Sequence, residues 1–177
     1  MRKALIILLS VFFLSFDLVE YSLYQKDDGP SKIKATHLYV FTKYFEWPDN
    51  SSTTFNISIL GENPGLMSEL TKLSATKSVG SKKIEIKNIN SIAEANGPEI
   101  LFILSDKSGV LTEAISKFKG KGTLIVTEKQ GLAKVGSAIN FVIVENNIKF
   151  ELNKTSAGKA GLKVSSKIEP LASKVLD

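Results

Sequence analysis

Ile100-Leu101-Phe102-Ile103-Leu104 is apolar at every position. Consecutive residues of a strand point to opposite faces, so an unbroken apolar run of this length predicts a central strand covered on both sides. Such a strand needs one layer above the sheet and another below.

Working outward, further strands are expected at residues 55–60, 83–89 and 123–127, with helical stretches at 64–73, 91–96 and 108–118. Leu66, Leu70 and Leu73, and likewise Leu111, Ala114, Ile115 and Phe118, recur at helical spacing and give faces able to cover a sheet. This is α/β order, in which crossovers between parallel strands are right-handed.

Two aromatic-rich segments frame that centre. In and just before residues 34–48, Ile33, His37, Phe41 and Tyr44, with Leu38 and Phe45 beside them, fall on one helix face, and Pro48 is expected to stop the helix. In residues 139–153, Phe141 and Ile143, then Ile148, Phe150 and Leu152, alternate on either side of Asn146-Asn147, a pair that tolerates the left-handed backbone of a hairpin turn. The fold class that follows is α/β: a mixed, mostly parallel central sheet of about six strands, helices on both faces and a C-terminal antiparallel hairpin.

The tail divides in two. Ala157, Ala160 and Gly161 suit a short helix, and residues 162–164 an extended piece. Ser166 and Glu169 stand in capping-box spacing for a last helix, with Pro170 in its first turn and Ile168, Leu171 and Val175 packing it down.

In order and spacing, these segments resemble the YfiR-like family of periplasmic regulatory proteins. The two aromatic segments carry the resemblance, with Phe55-Asn56-Ile57-Ser58-Ile59-Leu60-Gly61, Glu99-Ile100-Leu101-Phe102-Ile103-Leu104-Ser105 and the tail from Ala157. The resemblance implies an exported module that binds the periplasmic domain of an inner-membrane signalling protein, a diguanylate cyclase in the best-known case, and tunes its activity. Relatives also suggest a homodimer. The chain departs from the pattern in having Gly97-Pro98-Glu99 where relatives often place a cysteine, and Pro170 where they usually carry an aliphatic residue. With no cysteine anywhere, disulfide-based redox control is excluded.

Export is also read directly. Arg2-Lys3 precedes the apolar run 4–14, of signal-peptide length and short of the roughly 20 residues that span a bilayer. No small-x-small cleavage site follows, so residues 1–20 are expected to be a signal peptide or a signal anchor. Residues 21–30 form a lead-in, and 31–177 a single YfiR-like α/β domain in the periplasm.

Lys+Arg exceeds Asp+Glu by 23 to 18, with both signs scattered, and Arg2 is the only arginine. A nucleic-acid partner would want clustered basic residues rich in arginine, so that class is set aside.

Chemistry is sparse. His37 is the only histidine and lies on an apolar stripe, where a packed, neutral role is expected; together with the absence of cysteine this argues against zinc. There is no nucleophile elbow or phosphate loop. No catalytic, metal or cofactor residue is assigned, and the chain reads as a non-enzyme. Glu62, Asp106 and Glu128 each follow the carboxyl end of a candidate strand, the edge where open α/β sheets bind ligands. With Gly61, Ser105 and Thr127 they make the expected partner-binding or ligand-binding edge. A small-ligand sensor using that crevice is the second reading.

Overall fold

The computed structural model describes residues 29–49 and 51–177. The signal segment and most of the lead-in lie outside them. The apolar run forms β5 (Ile100–Ile103), inside a sheet that has eight strands among the described residues. Ile100 and Phe102 join the core on one face, while Leu101 and Ile103 join the core on the other. Double coverage is thus met residue by residue.

On either side of β5 run β2 (Thr54–Leu60) and β6 (Leu124–Thr127), both parallel to it, with Ile57 opposite Ile100 and Ile125 opposite Leu101. Beyond them lie β4 (Lys82–Ile89) and β7 (Ile139–Val144), also parallel; β7 then pairs antiparallel with β8 (Asn147–Asn153). β3 (Ser78–Val79) and β10 (Lys174–Leu176) occupy the two edges. These account for the excess over about six strands, being too short to show any alternation.

Helices α1 (Gly29–Phe41) and α2 (Pro64–Ser74) cover one face, and α3 (Leu111–Phe118) covers the other. Asn63 caps α2 by accepting from the Leu66 N–H at 2.9 Å, with Pro64 opening the helix. At the centre of the larger layer, Phe41 packs on Phe150 (ring centroids 5.1 Å apart) and Phe141 (6.0 Å), while His37 meets Phe141 edge-on at 5.8 Å.

Several expectations are corrected. α1 begins at Gly29, inside the expected lead-in, and ends at Phe41, well short of Pro48. The N–H groups of Thr42, Lys43 and Tyr44 reach back three residues rather than four, which tightens the chain into a turn. Phe45–Glu46 (β1) then pairs antiparallel with Lys163–Val164 (β9), so a distant strand partner decides what local periodicity assigned to helix. Residues 91–96 hold only a single 3-10 turn, Ile92–Glu94, and α3 starts at Leu111 after a 3-10 segment, Ser105–Val110. The hairpin turns one residue early. Glu145 and Asn146 carry φ of +50° and +60°, while Asn147 pairs with Val144.

The expected last helix is instead a 3-10 segment, Ser166–Leu171, followed by β10. Ser165 rather than Ser166 receives the capping N–H, from Lys167. Pro170 offers no N–H to carry the helix on, and the free edge of β8 does offer a ladder. Val175 therefore pairs with Leu152 instead of packing as a helix residue. Ser173 fixes the approach, donating from both N–H and Oγ to the Phe150 carbonyl at 2.8 and 2.9 Å.

Candidate functional site

From β2 the chain builds outward to β4, then crosses back to β5 on the other side of β2. The loops leaving β2 and β5 at their carboxyl ends therefore diverge at a topological switch point. Gly61 and Asp106 face each other there: a Cβ on Gly61, whose φ is +113°, would lie 3.0 Å from Asp106 Oδ1 and 3.1 Å from Leu104 Cβ. The two loops are in close contact, and the crevice floor has no room for a side chain at residue 61. Glu62 stands exposed beside it.

Ser105 and Glu128 meet one strand further along. Glu128 Oε1 accepts from the Ser105 N–H at 3.2 Å, and Oε2 accepts from Lys34 Nζ of α1 at 2.6 Å. The ion pair is largely shielded, with side-chain exposures of 19% for Lys34 and 14% for Glu128. A carboxylate at the end of β6 thus ties the first helix to the segment after β5.

Thr127 is not at the edge in the sense expected. It is fully buried, its Oγ1 2.7 Å from Asn140 Oδ1 and 2.8 Å from Ser137 Oγ, and Asn140 Nδ2 in turn donates to Glu151 at 3.2 Å. This is a satisfied internal network that reaches the surface only at Glu151.

The expected edge is therefore divided. Gly61 and Asp106 touch at the switch point, Ser105 and Glu128 line a separate groove of 810 Å³, and Glu62 and Thr127 join neither. The groove runs from Lys34 and Glu128 to Ile143, Ile148 and Glu151 of the hairpin. Asn140 is the last β7 residue paired with β6, so residues 141–144 run on past it, an overhang of about 13 Å at about 3.3 Å per residue. Near its tip Ile143 is 76% exposed, with Val144 beside it.

Sequence reading missed Lys34, Glu151 and the exposed tip. Ile143 alternates with the buried Phe141 and so reads as core. The overhang comes from the register that sets Val126 opposite Ile139 and Thr127 opposite Asn140, which alternation within either strand does not reveal. His37 behaves as a packed histidine, its Nδ1 donating to the Ile33 carbonyl at 2.9 Å.

Comparison with solved structures finds an α/β domain of similar fold. A conserved domain protein from Vibrio cholerae superposes with a TM-score of 0.50 at 13% identity, over 80% of this chain and 59% of that one. An ABC domain in complex with L-Trp from Streptococcus pneumoniae gives 0.49 at 11%, over 70% and 55%. The chain thus spans little more than half the length of either. No curated protein matches the sequence.

The fold and its groove define a mixed α/β module with a projecting hairpin. The chain belongs to the YfiR/HmsC-like family, whose model matches residues 31–173. That family consists of periplasmic regulators of partner proteins rather than enzymes, and it suggests a place in cyclic di-GMP signalling. Among the described residues, no helix is long and apolar enough to cross a membrane.

Proposed function

We propose that this protein is a periplasmic regulatory module that binds the periplasmic domain of an inner-membrane signalling protein and tunes its activity. A receptor of diguanylate-cyclase type is the best-fitting partner. Residues 31–177 act as one module, exported by residues 1–20 as signal peptide or anchor, and a homodimer is the assembly that relatives suggest.

The observation that carries this reading is the overhanging hairpin, with Ile143 in the open just before its turn, on a chain whose family regulates partners. Exposed apolar side chains held on a rigid element supply binding energy without an ordering cost. Regulation follows if the tip prefers one receptor state, since a tenfold difference in affinity shifts the receptor equilibrium tenfold.

The test is deletion of the gene in its native host, with cyclic di-GMP measured before and after complementation. A changed level restored by the wild-type gene supports the reading. An unchanged level with the receptor intact overturns the cyclase partner.

The 810 Å³ groove, with Lys34 and Glu128 at one end, favours a second reading as a small-ligand sensor. A thermal-shift screen tests it, because native-state ligands raise the melting temperature.

A further inference from the structure

Among the described residues, the projecting hairpin has a backbone edge that no other strand covers. Val144 and Asn147 flank the two-residue turn Glu145-Asn146 and so form a hydrogen-bonded pair. Bonding to β8 alternates from there, and the Ala138 carbonyl, accepting from the Asn153 N–H at 2.8 Å, shows the same parity at the far end. Ile143 therefore turns its own N–H and C=O away from β8. They face the slot in which β6 would continue, yet β6 pairs with β7 only as far as Asn140.

That slot belongs to the 810 Å³ groove. Ser105, Glu128 and Gln130 line it where β5 and β6 end, residues 141–144 line its side, and Pro30 of α1 reaches it from the helix layer. Open strand edges are normally guarded by a charge, a proline or a bulge. Phe141-Val142-Ile143-Val144 has none of these, and its register with β8 is unbroken. An apolar, largely β-branched edge of this kind calls for a strand beside it.

The chain itself brings one to the place. Gly29 opens α1 and Pro30 already lines the groove, so the residues before them start at its rim. Tyr21-Ser22-Leu23-Tyr24, which follows the leader 1–20, matches residues 141–144 in length, carries no charge, glycine or proline, and sets Tyr21 and Leu23 on one face when extended. Gln25-Lys26-Asp27-Asp28 joins it to α1 and reaches about 13 Å, more than the roughly 10 Å between packed layers. A tether that short holds the segment at an effective concentration on the order of millimolar.

We propose that residues 21–24 add to the open edge of β7 as a short β-strand, their backbone paired with that of Ile143. The added strand takes the edge of the hairpin and leaves the Ile143 side chain on the sheet face, so the proposal does not rest on the receptor reading.

The test is amide hydrogen exchange and inter-strand NOEs on the protein purified from its native host, without any receptor and at several protein concentrations. NOEs are expected between residues 21–24 and 141–144. The Ile143 amide should exchange at least about tenfold more slowly than in a variant carrying Ser22→Pro and Leu23→Pro, since one of these two residues points its N–H at β7 and proline has none. Ser22→Ala with Leu23→Ala keeps both donors and should keep the protection. Exchange at Phe102 and Val126, in the core, should be the same in all three proteins. The NOEs need no variant, so they carry the test should the proline variant misfold. Absence of those NOEs, equal protection of Ile143 in the proline variant, protection that grows with protein concentration and so reports a second copy, or a purified chain that begins after Leu23 would each overturn the proposal.

Discussion

Lys34 Nζ lies 2.6 Å from Glu128 Oε2, joining the first helix to the end of β6 across most of the chain's length. Glu128 serves two donors, since its other oxygen holds the Ser105 N–H. Glu128→Ala should therefore destabilise more than Lys34→Ala, because it leaves an N–H as well as an ammonium unpaired. In a double-mutant cycle by urea denaturation, the coupling is expected at about 1 kcal/mol, falling with added salt, since the pair is neither open nor fully buried. Equal effects of the two single substitutions would contradict this account.

Thr123 and Thr127 bracket β6 and should respond oppositely to valine. Thr127→Val leaves Asn140 Oδ1 without its donor inside the core and should cost about 1–3 kcal/mol. Thr123→Val removes a hydroxyl that has no protein partner, and should leave stability unchanged or raised. Paired thermal melts decide it, and the same sign for both would refute the assignment of partners.

Gly61→Ala tests the switch point. The new Cβ would take a φ of +113° and crowd Leu104 Cβ as well as Asp106, so a cost of about 1–3 kcal/mol is expected. Asp106→Ala should not rescue it, because Leu104 remains.

Ile143→Asp separates folding from recognition. With Ile143 76% exposed, chemical denaturation should change by no more than about 0.5 kcal/mol. Complementation of the deletion strain should nevertheless fail, together with crosslinking to the membrane partner. A variant that complements fully would remove the tip from the interface.

Lys154 donates to Asp177 Oδ1 at 3.1 Å and Glu169 Oε1 at 3.2 Å. Its pKa is raised above 10.5, chiefly by Asp177 and then by Glu169. A folded value above the unfolded one means the contribution is fully present below pH 10.5 and fades as pH climbs through the raised value. Following the Lys154 ε-methylene by NMR should show a late titration that returns toward 10.5 in Asp177→Asn. No change in that variant would show that Asp177 does not hold the lysine.

The layered fold was legible because it rests on apolar patterning within each segment. The short apolar run of residues 100–104 suits a doubly covered strand, and Leu66, Leu70 and Leu73 recur at the spacing of a helix face. The short pieces were not legible. Phe45 and Val175 carry the same apolar signal whether they pack from a helix or a strand, and only a distant partner, Val164 for one and Leu152 for the other, selects the strand. Of the candidate edge, Ser105 and Glu128 share a hydrogen bond, but strand ends could not show that Lys34 joins them or that the Thr127 side chain turns inward.

By itself, then, the sequence determined the α/β class, the central strand and the family, all of which follow from residue order at short range. The tertiary structure alone decided where the chain is open. Exposure of Ile143, the unpaired hydroxyl of Thr123 and the Lys34 to Glu128 bond depend on how far β7 outruns β6 and on which helix lies over which strand. Those are relations between segments far apart in the chain, and side-chain periodicity within any one segment carries no record of them.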